Sequence, residues 1–380
     1  MKIMKHVAYS QKRFLIHNDR CINSSLGSRQ LGLTLVELMV ALVLGLVLVG
    51  GVLNVFVANR ETYRATENLT RIQENARTGF DFMARDIREA GQNPCGTPLV
   101  ANVIRVGGNI PWWADWNKGT LIGVDGTEDR TDIVAFGTTT HARVAGTDAV
   151  IVIRSEQKEF TIKEHDTGTT LMTLASDSNL EEFDIVMACD LTSAAIFQVY
   201  DSSPSPSYNK IDHQEDGTVY NCSDFLGYPT PANCPTTAPP LKKFRDETSL
   251  PAGYLSKLVA SFWYVGYAEN GQRSIYRTRI KNDGNKNMII EPEEMVPGVQ
   301  DLQLEYLTGT GTILANDWVA ADNAVFDAAN NAWTSANPNQ VVALRINMTL
   351  QSEDNVGTNQ QPIQRQLIHV VALRSRDYLF

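Results

Sequence analysis

The apolar positions of the chain follow two different regimes. From Leu33 to Val49 every position is apolar except Thr34, Glu37 and Gly45, and the run continues through Gly50, Gly51, Val52 and Leu53 towards Ala58. Such a stretch has the length a helix needs to cross a bilayer, roughly 20 residues. From Asn59 to Ala90 polar residues return, yet Leu69, Ile72, Ala76, Phe80, Met83, Ile87 and Ala90 recur every three or four positions. That spacing predicts an amphipathic helix with one buried stripe. Opposite charges at helical spacing, Glu67 with Arg71, Glu74 with Arg77 and Asp81 with Arg85, support it. Gly91 and Pro94 supply a stop. The two regimes together predict one rod of about 58 residues, roughly 85 Å long at 1.5 Å per residue. Residues 33–58 would lie in lipid or a filament core, and residues 59–90 would pack on a sheet.

Beyond residue 90 the pattern changes to alternation. Val342, Leu344, Ile346, Met348 and Leu350 alternate with Ala343, Arg345, Asn347 and Thr349, as in a half-buried strand. Further strands are predicted over Asp132–Phe136, Ala149–Arg154, Glu159–Lys163, Thr170–Leu174, Phe183–Cys189, Ala195–Tyr200, Leu258–Tyr267, Ser274–Ile280, Leu302–Tyr306 and Ile363–Leu373. Ser202 to Pro240, rich in Ser, Pro, Thr and Asn, reads as a long surface excursion. The expected fold class is therefore α+β: a long amino-terminal helix packed on an antiparallel, β-rich body at 91–380.

Charge and composition sharpen this picture. The chain has 380 residues, 43% hydrophobic, with a net charge of −10. The first 32 residues hold six basic residues against Asp19, which leaves 27 basic and 42 acidic residues, or −15, in the remainder. Basic residues before the apolar run place the amino terminus in the cytoplasm and the body outside. An acidic body argues against nucleic-acid binding. A secretory signal peptide is the competing reading, but no small-x-small cleavage site follows the apolar core, and Glu37 lies inside it. A carboxylate in such a segment is costly and asks for a partner, or else sits near enough to the interface to be tolerated. Four of the five cysteines, Cys95, Cys189, Cys222 and Cys234, follow the apolar run, whereas Cys21 precedes it. An even set fits an oxidising compartment, and four cysteines allow three pairings. Cys222 with Cys234, which bracket a short loop, and hence Cys95 with Cys189, is the favoured one.

The string Gly32-Leu33-Thr34-Leu35-Val36-Glu37-Leu38-Met39-Val40-Ala41, with Arg29 before it, resembles the class III signal of type IV prepilins. The resemblance implies that a prepilin peptidase cuts between Gly32 and Leu33 on the cytoplasmic face, that Leu33 is then N-methylated, and that residues 1–32 are a removed leader. Glu37 becomes the fifth mature residue, and its carboxylate would pair with the Leu33 amino group of a neighbouring subunit to set axial register. The family's usual first residue is phenylalanine, and major pilins commonly carry a proline where this chain has Asn54. The leader is long for the family, and Leu26 is a candidate start that would leave seven leader residues. Leu69 to Arg77, Phe82 to Gly91 followed by Cys95, Cys189-Asp190 with Ile196 to Val199, and the strands Val341–Leu350 and Leu367–Arg376 together resemble the minor pilin family PilW. That resemblance implies a part in priming pilus assembly, perched at the tip, with other minor pilins, the major pilin, the prepilin peptidase, the inner-membrane assembly platform and a tip adhesin as partners. It implies an inner-membrane precursor, a surface location after assembly, and adhesion and twitching motility as outputs. A minor pseudopilin of a type II secretion system and a filament-presented adhesin are the alternatives.

Chemistry is otherwise sparse. No P-loop, dinucleotide fingerprint, nucleophile elbow or zinc helix is present, so no catalytic residue, cofactor or metal is expected. Asp125 to Asp132, Asp212 to Asp216 and Asp283 to Asn285 are each open to a calcium loop or a solvated turn, with the turn favoured. Trp112, Trp113 and Trp116 are open to a binding surface or a core cap beneath the helix, with the cap favoured.

Overall fold

The computed structural model describes Gly32 and residues 34–97, 99–201, 209–234, 236–245, 253–310, 313–321, 340–357 and 359–373. The chain divides into two compact units, residues 1–60 and 61–380. A single helix, α1 (Leu35–Arg88), runs through the boundary.

In the first unit α1 makes no core. Its apolar side chains stand exposed along the whole stretch, with Leu46 at 75% and Phe56 at 65%. No other described helix is long and apolar enough to cross a membrane, and none of this stretch is buried in the chain's own fold.

The second unit holds two sheets. The larger has ten strands: β1 (Val100–Asn102), β2 (Leu121–Val124), β3 (Ala149–Asp166), β4 (Leu171–Leu174), β5 (Ile185–Cys189), β6 (Ala194–Gln198), β7 (Lys210–Asp212), β8 (Gly253–Tyr267), β9 (Arg273–Asn282) and β10 (Met288–Pro297). Its central order is β1-β6-β5-β8-β3-β4-β7, with β9 on β8, β10 on β9 and β2 on β3. The smaller contains β11 (Val299–Thr310), β12 (Ile313–Leu314), β13 (Val319–Ala320), β14 (Gln340–Gln351) and β15 (Gln364–Ala372), in the order β12-β11-β14-β15 with β13 also on β11. Every strand pair is antiparallel except β1 with β6. Gly298 joins the sheets at φ 81°, and an added Cβ would lie 2.9 Å from the Gln351 carbonyl oxygen, so glycine is required there.

Alternation decides what each face buries. Ile72, Ala76, Phe80, Met83 and Ile87 of α1 pack on Leu302, Leu304, Leu344, Ile346 and Met348 of the smaller sheet and on Val150, Val152, Trp263 and Val265 of the larger one. Gly79 lets the helix come close, since a Cβ there would sit 3.3 Å from Val296. The alternate residues Ile151, Ile153, Ala260, Phe262 and Tyr264 face away from the helix and are covered by Ile104, Trp113 and Trp116. Trp113 and Trp116 are thus core, each 6% exposed, with Trp112 partly buried against the same cluster, and they close the face opposite α1 and not the one beneath it.

Several sequence expectations change. Asp132–Phe136 is no strand: Asp132 chelates Arg130 at 2.7 Å, and the Asp129 carboxylate accepts the Phe136 N–H, so local turn bonds replace the ladder. Ala149–Arg154 and Glu159–Lys163 are one strand, β3, with an irregular register against β8 between Ser155 and Glu159. Phe183 lies at φ 67° and precedes β5. The pairing Asp81 makes is with Arg77, at 4.0 Å, in place of Arg85, which turns to Glu89. Within Ser202 to Pro240 the residues 202–208 and 235 lie outside the described residues, and the remainder is not a surface excursion. Ile211, Leu226, Cys222 and Cys234 are buried with Phe160, Met172, Phe197 and Phe244 in a third cluster.

Candidate functional site

The candidate site begins at the start of α1. Thr34 is its N-cap: its Oγ1 accepts the Glu37 N–H at 3.2 Å, and its carbonyl accepts the Leu38 N–H at 3.1 Å. Glu37 is therefore the third helical residue of a Thr-x-x-Glu start, where an acidic side chain faces the positive end of the helix dipole. This cap signal was present in the sequence and was not read there. Gly32 has nothing within 4 Å of a would-be Cβ, whereas Leu33 lies outside the described residues. After Glu37 the next charged residue is Arg60, so the exposed apolar surface between them is unbroken by charge.

In the second unit the helix end has an elaborate seat. Asp86 is 4% exposed and accepts the Trp263 indole N–H at 3.1 Å and an Arg154 N–H at 3.4 Å. Arg277 lies 3.8 Å from its other side, stacks over the Trp263 ring and pairs with Glu293 at 2.7 Å. One turn on, Glu89 pairs with Arg154 at 3.4 Å and accepts the Gln157 amide at 2.6 Å. Gly91, at φ 75°, ends the helix, and its N–H donates to the Ile153 carbonyl at 3.0 Å. The string from Ala84 to Gly91 thus reads physically: Asp86 and Glu89 face two arginines of the sheet, Ile87 and Ala90 fill the core, and Gly91 makes the turn.

One disulfide completes the seat, and a second lies in the third cluster. Cys95, just beyond the helix, joins Cys189 at the end of β5, and Cys222 joins Cys234. These are the two favoured pairs; Cys21 lies outside the described residues.

Other titratable groups are absorbed by the fold. The Asp125 carboxylate takes the Thr127 N–H and hydroxyl, Asp212 the Gln214 N–H and the Thr170 hydroxyl, Asp216 the Thr218 N–H and hydroxyl, and Asp283 the Asn285 N–H. All are turn bonds. Among the described residues no three or more His, Cys, Asp or Glu gather as a metal would require. Asp148 is buried between the sheets, accepts the Gly126 and Leu304 N–H groups at 2.9 and 2.8 Å, and is pushed up by burial to about 6. His165 and His213 are buried with their Nε2 atoms 2.9 Å apart. His165 Nδ1 accepts the Phe244 N–H at 3.2 Å, which puts its proton on Nε2, facing His213. Burial lowers the two rings to about 4 and about 3.

Two family models match the chain. Residues 27–53 match the prokaryotic N-terminal methylation motif, and residues 262–372 match the type IV pilus-assembly protein W family. Over residues 262–372 the chain is similar to the PilW family. The PilW match runs from the end of β8 to β15, so it takes in Trp263 and Arg277 of the helix seat and the whole smaller sheet. The methylation match contains Gly32, Leu33 and Glu37. No curated protein and no solved structure matches. Together the two matches point to a structural, non-catalytic, pilus-related pilin that interacts with pilus components, and the signal with its apolar helix points to membrane anchoring.

Proposed function

We propose that this chain is a minor pilin, made as an inner-membrane prepilin with its body outside. Residues 1–32 are removed by cleavage between Gly32 and Leu33, Leu33 is N-methylated, and the subunit enters a type IV pilus at a priming or tip position beside other minor pilins. The observation that carries this reading is the contrast within α1. Its first part exposes an uninterrupted apolar surface that no described residue covers, and its last turns are locked into a sheet by buried ion pairs and a disulfide. Uncovered apolar surface of that extent needs lipid or other helices. Glu37 is the charge that register demands: in low dielectric a misplaced carboxylate is costly, and pairing with the Leu33 amino group of a neighbour relieves it. A body of about 290 residues suits an end position better than repeated stacking along a shaft.

The cap at Thr34 supplies the control. If Glu37 sets register, Glu37→Gln leaves cleavage intact and removes the subunit from sheared filaments, whereas Thr34→Ala, which only weakens the helix start, leaves incorporation near wild type. Immunoblots of filament and membrane fractions measure both. Wild-type incorporation of the Glu37→Gln chain contradicts the register role.

A further inference from the structure

His165 stands at the end of β3 and His213 directly after β7, both buried. His165 stacks on Phe244 and His213 meets the Phe197 ring edge-on, so the pair lies beside the third apolar cluster. Its hydrogen bonds leave no place for another proton. Phe244 N–H occupies the Nδ1 lone pair of His165, and His165 Nε2–H donates to the bare Nε2 of His213 at 2.9 Å. A proton added to His165 sets a second N–H against the Phe244 N–H. A proton added to His213 Nε2 sets two N–H groups against each other. Either one breaks a buried hydrogen bond and leaves a charge in apolar surroundings. The neighbouring charges do not relieve it. Lys242 and Lys243, just before Phe244, oppose protonation of His165. Asp166 of β3 favours it but is engaged by the Gly168 N–H and the Thr169 hydroxyl, and Asp212 of β7 by the Gln214 N–H and the Thr170 hydroxyl.

The two rings are held unequally. β3 has 18 residues and pairs with β2, β4 and β8, whereas β7 has three residues and meets β4 at Lys210, Ile211 and Asp212. His213 adds its own N–H to the Thr170 carbonyl at 3.2 Å, and its carbonyl accepts the Asn221 amide at 3.2 Å. Beyond it the chain is tied down again: the Arg105 N–H donates to the Tyr220 carbonyl at 2.9 Å and the Cys222 N–H to the Val103 carbonyl at 2.8 Å. His213 can therefore leave by freeing only residues 210–219. The seam between the sheets responds to acid in the opposite sense. Asp148 crosses it to the Leu304 N–H, and its value of about 6 makes the seam firmer as pH falls from 6 towards 4.

We propose that β7 and the turn after it, residues 210–219, form an acid-released latch. Protonation of His213 frees this stretch from β4 and from His165 and bares Ile211 and the Phe197 ring, while the two sheets keep their packing.

Hydrogen exchange of the full chain in detergent, read by mass spectrometry at pH 7 and pH 5 with labelling times scaled to intrinsic exchange, tests the latch. A ring that titrates at about 6.5 once released and at about 3 while buried raises the opening constant about 25-fold between these pH values. That increase is expected in peptides covering residues 210–219, with peptides from β11 and β14 unchanged or better protected. His213→Gln keeps an acceptor for His165 Nε2–H and cannot titrate, so it is expected to hold the protection of 210–219 constant. Should that variant misfold, the wild-type comparison of 210–219 with β11 and β14 decides. A wild-type change below about threefold at 210–219, an equal loss at β11 and β14, or a pH response that survives His213→Gln overturns the proposal.

Discussion

Asp86 shows what one side chain can organise. It is buried, shares Arg154 with Glu89, and accepts an indole N–H from a ring on which Arg277 stacks. Removing its charge leaves two guanidinium groups with too little compensation in a poorly hydrated place. Asp86→Asn is expected to lower stability by about 3 kcal/mol, read as a shift in urea midpoint of the full chain in detergent; a shift below 1 kcal/mol would mean that Glu89 and Glu293 suffice. The His165–His213 pair makes a second prediction at this scale. Both rings stay neutral in the fold to about pH 4, while unfolded histidine titrates near 6.5. As pH falls from 6.5 to 4 the unfolded chain binds protons that the folded chain refuses, so stability drops and then levels below the folded values. Asp148 works in the other direction. Its folded value is raised to about 6, so the fold gains stability as pH falls from 6 towards 4. Replacing both histidines by leucine is therefore expected to flatten or reverse the loss of stability between pH 6.5 and 4 relative to wild type. An unchanged slope in urea titrations at stepped pH would contradict the buried neutral pair.

At the scale of elements, the disulfides tie unequal lengths of chain. Cys95 and Cys189 are separated by 94 residues and connect the end of α1 to β5, whereas Cys222 and Cys234 are separated by 12. The loop-closure argument assigns about 4–5 kcal/mol to the first and about 3 to the second. Replacing Cys95 and Cys189 by serine should then cost more than replacing the other pair, with urea midpoints of the two double variants as the measurement; the reverse order would show that packing around Cys222 and Cys234 outweighs chain entropy. The same elements show how far the sequence could be read. The helix and the strand over Val342 to Leu350 were legible because each repeats one period over many residues. β10 was not, because prolines and glutamates dominate an edge strand whose partner lies on one side only. The segment after residue 208 misled for a different reason: its polar turns are real, but Ile211, Leu226 and the Cys222–Cys234 bridge carry it into the core. At the candidate site Gly32 and Glu37 stood out by pattern. The arginines that receive Asp86 and Glu89 did not, since Arg154 lies 68 residues beyond Asp86, Arg277 lies farther still, and ordinary strand periodicity hides them.

For the whole molecule, the two units divide the labour. Residues 34–60 expose apolar surface without a core, and the second unit buries three clusters, one of them between α1 and the two sheets. A chain built in this way can be drawn from a membrane into a helical bundle without unfolding its body, because the surface that changes surroundings is separate from the surface that holds the fold. The methylation signal and the PilW match sit one in each part. The most direct test of this account is mass spectrometry of sheared, purified surface filaments, read at the amino-terminal peptide of this chain. The account predicts a chain that begins at Leu33 with a methylated amino group and that is present in the filament fraction. A processed chain confined to the envelope would point to a secretion pseudopilus or a basal role, and a chain still carrying residues before Leu33 would contradict the account.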